Sequence, residues 1–478
     1  MITLRPYQTE SIKLLREGFA SHKRQVLVLP TGAGKTICFS YMVNSAYEKG
    51  TQTLILTDRI ELFAQTMKAI SNQGVSPQIL SANTKIFSKE APITLGMVET
   101  IKRRMKKWNG EYQPKLIILD ECHKGNFTPI LDAFPNSLVL GCSATPIGKH
   151  FFKYYTNIVN NVDVNELIDL GYLCSARSFQ MQDSFDDVEV KRGEFVEKQL
   201  FNHFDKKKLY DGCVQKYLEK TPGKKALVFN VSIQHAINMN KAFNDAGIHS
   251  EVVHSKTPIA ERDRIFKAFE AGHFMVLNNC SIATTGIDIP SIEVIIMNRA
   301  TMSLILFLQC IGRGSRPTPT KKEFTILDFG QNFTRHGLYQ EHRDWDLKPP
   351  KKKNKLGISP VKSCPKCDFM MHARIMKCPE CGYVYPEKKD GPKEGVMVEV
   401  KAEMPVQLKG RKVSELSIGE LVMASKSKAI SKPFLWRVVR SHGDQAVRDY
   451  GWQMGYKEGW CFNQMKEMND CKYKDKVL

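Results

Sequence analysis

The feature that most constrains this chain is a short apolar run that leads directly into a glycine loop. The run is Gln25–Leu29, whose apolar and β-branched residues are typical of a buried strand. The loop is Pro30–Thr36, with the sequence PTGAGKT, and the apolar residues after it predict the first turns of a helix. A strand, a glycine loop and a helix in this order form a cradle for phosphate groups, because the loop amides and the positive end of the helix both face the ligand.

Each residue type in this loop suits one chemical task. Gly32 and Gly34 allow the backbone to turn its N–H groups toward phosphate oxygens. Lys35 is placed to reach the β- and γ-phosphates, and Thr36 is placed to hold Mg²⁺. The usual pattern has a glycine where this chain has Leu29, a position that the loops of nucleotide-driven motors often relax. A glycine-rich turn without function is the alternative, and the adjacent lysine and threonine argue against it.

The size and composition of the chain indicate several soluble units. Its 478 residues exceed one compact core and predict about three or four domains. Apolar residues make up 42% of the chain, so disorder is not the default. No apolar run approaches the length of a membrane span, and Met1–Arg5 does not resemble the start of a signal peptide. We therefore expect a soluble, intracellular protein with no membrane partner.

The net charge of +20 is concentrated toward the end of the chain. Residues 348–478 contain 27 Lys and Arg against 15 Asp and Glu, which leaves a surplus of 12 positive charges. A region this basic indicates a polyanionic partner, most simply nucleic acid. A lysine-rich surface that only keeps the protein in solution is the alternative.

Four of the 13 cysteines form two close pairs, and the others are scattered. The pairs are Cys364 with Cys367 and Cys378 with Cys381, so that ten residues separate two C-x2-C units. In a reducing compartment this spacing predicts one closed, tetrahedral Zn²⁺ site of the structural type. Two free dithiols or an iron cluster are the alternatives. His372 lies between the pairs and is not needed as a ligand.

A later apolar strand, Leu116–Leu119, leads directly to two adjacent carboxylates. Asp120 suits the coordination of Mg²⁺ through water, and Glu121 suits the orientation and deprotonation of an attacking water. Acids after a strand also commonly cap helices. The phosphate loop upstream is what favours a catalytic role for this pair over a capping role. A later strand leads to Ser143 and Thr145, whose hydroxyls we expect beside the acids. Because strand and helix patterns alternate, the sheets should be mostly parallel.

These residues resemble the superfamily 2 helicases of the DEAD/DEAH type, and the resemblance covers about residues 4–330. It includes what looks like the opening strand of a second RecA-like domain and an arginine-finger motif. Six segments stand in the order of the family: Pro30–Thr36, Asp120–His123, Ser143–Thr145, Leu227–Asn230, Asn278–Pro290 and Gln309–Arg316. The resemblance implies an α/β protein with two tandem RecA-like domains, each with a parallel sheet, that bind ATP and Mg²⁺.

The resemblance also implies roles for individual residues. Lys35, Asp120 and Glu121 would carry the chemistry together with Arg313 and Arg316, which would reach the γ-phosphate from the second domain. The residues implied to contact the nucleotide are Arg5, Gln8, Thr31, Gly32, Ala33, Gly34, Lys35, Thr36, Asp120, Gly286 and Asp288. Thr36 and Asp120 would hold Mg²⁺. His123, Ser143 and Thr145 would link hydrolysis to domain movement, and Arg59 and Thr100 would lie on the nucleic-acid strand.

The order of domains that follows from these motifs has five parts. They are a first RecA-like domain (1–172), a second RecA-like domain (173–345), a basic linker (346–361), a zinc ribbon (362–386) and a small basic nucleic-acid-binding domain (387–478). The box Asp120–His123 reads DECH and, with the four-cysteine module, is most similar to bacterial RadD-type helicases and phage branched-DNA helicases.

An aromatic series near the end of the chain has two interpretations. Trp452, Tyr456 and Trp460 recur every four residues, which places them on one face of a helix. That face either packs the last domain or stacks unpaired bases of nucleic acid.

Together these observations predict an ATP-dependent helicase or translocase that acts on nucleic acid, with DNA favoured over RNA. The resemblance further implies single-stranded or branched DNA as the substrate and a role in repair, recombination or replication. Repair or replication proteins are then its candidate partners, and the cytoplasm of a bacterium or of a phage-infected bacterium is its expected location. An RNA-remodelling ATPase and a non-enzymatic nucleic-acid-binding protein with an inactive motor are the alternatives.

Overall fold

The strand patterns of the first 160 residues form one sheet of seven parallel strands. The structure, a computed structural model, describes residues 3–58, 60–84, 86–108, 110–148, 150–181, 185, 188–191, 193–283, 288–343, 345–347, 361–385, 415–426, 438–439 and 442–454. The chain divides into two compact units, Met1–Glu387 and Lys388–Leu478.

The order of strands in the first sheet is β3-β4-β2-β5-β6-β1-β7. They are β1 (Arg24–Val28), β2 (Thr53–Thr57), β3 (Gln78–Leu80), β4 (Ile93–Met97), β5 (Leu116–Asp120), β6 (Leu138–Ser143) and β7 (Asn157–Val159). The helices are α1 (Pro6–Gly18), α2 (Lys35–Glu48), α3 (Ile60–Ser71), α4 (Val98–Met105), α5 (Thr128–Ala133), α6 (Phe151–Tyr154) and α7 (Val164–Asp169). Apolar clusters cover both faces of the sheet, as its continuous apolar strands require.

The register of this sheet brings the predicted functional segments to one edge. Val28 of β1 pairs with Ser143 of β6, and Asp120 of β5 pairs with Cys142 beside it. The glycine loop, the two acids and the serine therefore all follow the carboxyl ends of neighbouring strands, where open parallel sheets bind ligands.

A second parallel sheet has the order β12-β13-β11-β14-β15-β8. Its strands are β8 (Ser175–Gln180), β11 (Ala226–Asn230), β12 (Ser250–His254), β13 (Val276–Cys280), β14 (Val294–Asn298) and β15 (Glu323–Asp328), with a small hairpin of β9 (Val190–Lys191) and β10 (Glu194–Phe195) between the first two. The helices are α8 (Glu197–Phe204), α9 (Lys207–Lys220), α10 (Ile233–Asp245), α11 (Ile259–Ala271), α12 (Leu304–Ile311) and α13 (Asn332–His336). The prediction of two α/β domains with parallel sheets is confirmed.

The four-cysteine segment is fixed to the outer strand of the second sheet. Its strands β16 (Val361–Ser363) and β17 (Met370–His372) are antiparallel. Phe179 of β8 forms an isolated bridge with Phe369, and the two rings meet edge-on at 5.5 Å. Lys220 donates a hydrogen bond to the Cys367 carbonyl at 3.1 Å, and Arg177 pairs with Glu380. The cysteine segment thus continues the second domain.

The second unit contains two described helices, α14 (Ile418–Lys426) and α15 (Asp444–Gln453), which pack through a small apolar cluster. Tyr450 is buried in that cluster, whereas Trp452 is 83% exposed. For Trp452 the packing interpretation of the aromatic face is therefore wrong, while Tyr456 and Trp460 lie outside the described residues. Within the described ranges, no helix is long and apolar enough to span a bilayer.

Candidate functional site

Side chains of α1 form hydrogen bonds to the backbone of the glycine loop and fix its conformation. Gly32 and Gly34 have φ angles of +89° and +82°, which favour glycine. The Ala33 carbonyl between them accepts hydrogen bonds from the Tyr7 hydroxyl at 2.7 Å and from Gln8 Nε2 at 3.1 Å. A Cβ atom on Gly34 would lie 2.6 Å from Gln8 Nε2, so the amide fits only against a glycine.

The residues at the start of α1 form one end of the site. The Arg5 N–H donates to Gln8 Oε1 at 3.0 Å, so both ends of the Gln8 amide are used in fixing backbone. The guanidinium of Arg5 stacks over the ring of Tyr172 at 4.4 Å. The pair makes a flat wall of the kind that can receive an aromatic base.

Leu29, which stands where a glycine is usual, belongs to the core. It is fully buried, and its N–H donates to the Ser143 carbonyl at 3.3 Å, which continues β1 by one residue. Lys35 Nζ donates to the Leu29 carbonyl at 3.4 Å and so lies folded over the loop. A leucine at position 29 therefore lengthens the strand and leaves the phosphate-binding loop intact.

The two acids after β5 differ in their electrostatic surroundings. Asp120 is 5% exposed, and its Oδ1 accepts a hydrogen bond from the Glu121 N–H at 3.0 Å. Burial, and then the neighbouring Glu121, raise the pKa of Asp120. Burial also acts to raise the pKa of Glu121, but the hydrogen bond to His123 and the charge of Lys35 outweigh it and hold that pKa low. Glu121 is therefore the acid that stays ionised.

His123 connects the acids to the end of β6. Its Nδ1 lies 3.2 Å from Glu121 Oε2 and 3.0 Å from Ser143 Oγ. Ser143 Oγ in turn accepts a hydrogen bond from the Thr145 N–H at 3.0 Å. A displacement of the segment that carries Ser143 would therefore shift His123 and change the surroundings of the Glu121 carboxylate.

The second domain closes the site from the opposite side. Arg316 pairs with Asp288 at 2.5 Å, and Gln309 Nε2 donates to Glu121 Oε2 at 3.4 Å. Burial, and then the charge of Arg316, lower the pKa of Arg313 to about 10, which leaves it charged at neutral pH. Two arginines thus face the acids across the cleft.

The arginine motif approaches the glycine loop at a position that requires a glycine. A Cβ atom on Gly312 would lie 2.4 Å from Cγ2 of Thr31 in the glycine loop. Ser315 Oγ, next to that contact, donates to the Thr31 carbonyl at 3.4 Å.

The cleft has a volume of about 1040 Å³. Its first wall is formed by the glycine loop and the two acids of the first domain, and its second wall by Asp288, Arg313 and Arg316 of the second domain. Twelve predicted residues line it: Arg5, Gln8, Thr31, Gly32, Gly34, Lys35, Thr36, Asp120, Glu121, Asp288, Arg313 and Arg316. Its glycine floor, lysine, threonine and buried acids fit a nucleotide triphosphate with Mg²⁺.

The other predicted residues lie elsewhere. Ala33 is fully buried behind the loop, so it contributes structure through its carbonyl. β4 ends at Met97 and α4 begins at Val98, so Thr100 lies in the first turn of that helix. Arg59, Gly286 and Trp460 lie outside the described residues.

Sequence reasoning assigned no role to three residues that the cleft uses. Gln309 and Ser315 lie inside the arginine motif, so their position in that motif was the available signal. Tyr172 carried no signal, because only the fold brings it to Arg5.

The four cysteines form one compact cluster. Their sulfur atoms all lie within 4.8 Å of one another, with 3.6 Å between Cys364 and Cys381 and 3.7 Å between Cys367 and Cys378. Tetrahedral zinc with Zn–S bonds of about 2.3 Å requires sulfur separations of about 3.8 Å. Gly382 has a φ of +72°, as expected for the turn after the second pair. The cluster fits a structural zinc ion.

Two family profiles match this chain. Residues 1–148 match the profile described as the res subunit of type III restriction enzymes, and residues 210–318 match the conserved C-terminal domain of helicases. The two profiles cover the two walls of the cleft. The chain belongs to the superfamily 2 helicases. The chain is accordingly an ATP-hydrolysing nucleic-acid motor of the helicase type.

Individual relatives of this helicase cover most of its length. A 51.5 kDa protein of a Lactococcus phage (isolate 7-9) is 29% identical over 74% of this chain and 76% of its own. A Saccharomyces cerevisiae protein provisionally named ATP-dependent helicase IRC3 is 32% identical over 68% of this chain and 51% of its own. The chain thus spans about half of the yeast relative.

A solved structure supports the fold alone. A fragment assigned to the HsdR subunit of a type I restriction enzyme from Vibrio vulnificus YJ016 superimposes with a TM-score of 0.57. It is 20% identical and covers 70% of this chain and 66% of its own.

Proposed function

We propose that this helicase is an ATP-dependent DNA helicase or translocase that acts on single-stranded or branched DNA in repair, recombination or replication. The observation that carries the proposal is the cleft, in which Lys35, Asp120 and Glu121 face Arg313 and Arg316 of the second domain. A protein that bound nucleic acid without hydrolysing ATP would not need charged groups on both walls of the cleft. This argues against the non-enzymatic alternative.

Each residue of the cleft has a distinct task in this proposal. Mg²⁺, when bound beside Thr36 and Asp120, supplies charge that neutralises the phosphates and favours the ionised form of Asp120. Lys35 moves from the Leu29 carbonyl to the β- and γ-phosphates. Glu121, kept ionised by His123, orients the attacking water and takes its proton.

Arg313 and Arg316 act at a later stage of the reaction than the residues of the first wall. Charge develops on the γ-phosphate as its bond to the leaving group breaks, and cations placed there stabilise the transition state more than the ground state. Release of Arg316 from Asp288 toward that phosphate would couple hydrolysis to a change between the two domains.

One observation favours DNA over RNA as the partner. The first profile carries the name of a restriction-enzyme subunit, and restriction enzymes act on DNA. The basic region 348–478 is suited to phosphate contacts, although charge alone does not separate DNA from RNA. The phage relative favours the cytoplasm of a bacterial or phage-infected cell.

We further propose that the cysteine cluster holds zinc and has a structural role. All four ligand positions are occupied by sulfur, which leaves no open position for catalysis.

The test is a comparison of ATP turnover without nucleic acid and with single-stranded DNA, forked DNA or single-stranded RNA of matched length. We expect DNA to stimulate turnover more than RNA does, and forked DNA to be unwound. Glu121→Gln, which keeps the shape of the side chain, is the matched control and should show no stimulation. Preferential stimulation by RNA would support the RNA-remodelling alternative, and no stimulation by either would contradict the proposal.

A further inference from the structure

Lys321 lies in the turn after the arginine motif, outside every segment that the sequence analysis singled out. The turn closes on itself, because the Lys321 N–H donates to the Thr318 carbonyl at 3.2 Å and to Thr318 Oγ1 at 3.1 Å. The whole residue is 6% exposed, so its ammonium group is withdrawn from solvent. A buried lysine is rare unless its charge is compensated.

The compensation comes from three carbonyl groups. Lys321 Nζ donates to the carbonyls of Pro290 at 2.6 Å, Ile292 at 2.7 Å and Gly314 at 3.0 Å. An ammonium group has three N–H donors, so these contacts use its full capacity. The side chain has no hydrogen left for a ligand. Its role must be exerted on the backbone that it binds.

The three carbonyls belong to the two segments that carry the second wall of the cleft. Pro290 follows Asp288 by two residues, and Gly314 lies between Arg313 and Arg316. Arg316 and Asp288 are themselves paired at 2.5 Å. One ammonium group therefore joins the backbones on which both members of this ion pair stand.

The turn is also fixed from the side of β8. The Cys174 N–H donates to the Ser315 carbonyl at 2.7 Å, and Cys174 Sγ donates to the Lys321 carbonyl at 3.5 Å. The arginine loop is thus held at Gly314 by Lys321 and at Ser315 by the start of the outer strand. Of these contacts, only the one from Lys321 also reaches the Asp288 segment.

We infer that Lys321 is a positioning residue for hydrolysis: it sets the separation between the Asp288 segment and the Arg313–Arg316 loop and so aims Arg316 at the γ-phosphate. The inference rests on the role proposed above for Arg316. Loss of the ammonium would leave three carbonyls without their donor and let the two segments separate. A shift of about 1 Å in a catalytic group can lower a rate about a hundredfold.

The first experiment compares Lys321→Met with a matched control, Lys225→Met. Lys225 is also a buried lysine of the second domain, and its Nζ donates to the Glu270 carbonyl and to Ser291 Oγ. These hydrogen bonds reach the Asp288 segment through Ser291 but do not join it to the arginine loop. We expect Lys321→Met to lower kcat about tenfold to a hundredfold, with KM for ATP changed less than about threefold. Lys225→Met should keep its kcat at a temperature where both proteins are folded. Equal losses in the two variants would overturn the inference.

The second experiment is a double-mutant cycle with Arg316→Ala, a readout that a general loss of stability would not give. If Lys321 acts through Arg316, the double variant should turn over ATP no more slowly than Arg316→Ala alone. Losses that multiply would overturn the inference. An Arg316→Ala variant with normal kcat would instead contradict the proposed role of Arg316, so the two failures can be told apart.

Lys321→Gln keeps the inference testable if the methionine variant does not fold. The amide offers two N–H donors to the same carbonyls, and we expect a kcat between those of the native protein and Arg316→Ala. A folded Lys321→Gln protein that hydrolyses ATP at the native rate would overturn the inference.

Discussion

The two walls of the cleft present their charged groups in different ways. On the first wall, the glycine loop and the acids directly follow the strands that place them, so a few adjacent residues determine their position. On the second wall, Arg313 and Arg316 follow a helix, and contacts from distant segments hold their loop. The comparison indicates that the first wall binds as a preformed surface, whereas the second depends on the packing of its whole domain.

The largest effect is expected on the first wall. Lys35→Ala should abolish ATP turnover and weaken binding, because the loop loses the cation that contacts the phosphates. Glu121→Gln should bind ATP and fail to hydrolyse it. Each change should lower the rate on the order of a thousandfold, since it removes several kcal/mol of transition-state stabilisation. Steady-state turnover and binding of a fluorescent ATP analogue check both, and near-normal turnover by either variant would contradict the assignment.

The second wall should respond in rate alone. Arg316→Ala is expected to keep its affinity for ATP and to lose about a hundredfold in kcat, because the cation acts as the γ-phosphate leaves. Single-turnover hydrolysis with a parallel binding titration separates the two quantities. If affinity fell as much as rate, the distinction between the walls would be lost. An unchanged rate would move the role to Arg313.

The cysteine cluster offers a test of the difference between the walls, because its described contacts lie on the second domain. It docks on β8, and the Cys174 N–H just before that strand binds the Ser315 carbonyl. Cys378→Ser should lose the metal, melt at a lower temperature and reduce turnover less than Arg316→Ala does, with ATP binding unchanged.

Elemental analysis and thermal unfolding of the same preparation test this prediction. Cys213→Ser is the control, since Cys213 is a buried cysteine of the same domain outside the cluster. Native protein without zinc, or Cys378→Ser with its metal retained, would exclude the four-sulfur site.

The sequence could predict what adjacent residues determine. Order and type of strands, the glycine loop and the cysteine pairs follow from local patterns, and the structure confirms the two parallel sheets. Contacts between remote segments could not be predicted, because no periodicity encodes them. Tyr172 against Arg5 and Lys321 on three carbonyls are examples. The packing interpretation of Trp452 failed for a different reason. The spacing of the aromatic residues matched one packed helical face, but α15 ends at Gln453, before Tyr456 and Trp460 are reached.

The smallest effect on turnover is expected at Trp452, which belongs to the second unit. Because this side chain is 83% exposed, Trp452→Ala should melt at the native temperature and hydrolyse ATP at the native rate. If the indole stacks on an unpaired base, the variant should lose on the order of 1–3 kcal/mol in binding single-stranded DNA.

Tyr450→Ala is the matched control for this prediction, because it removes an aromatic ring two residues away that is buried in the cluster of the second unit. Loss of that ring should cost about 3–5 kcal/mol of stability and lower the melting temperature of the unit. Fluorescence anisotropy with labelled single-stranded DNA and thermal unfolding then give opposite patterns for the two variants. Unchanged DNA affinity in Trp452→Ala would leave the basic residues as the source of binding in this unit, which should then weaken steeply with salt.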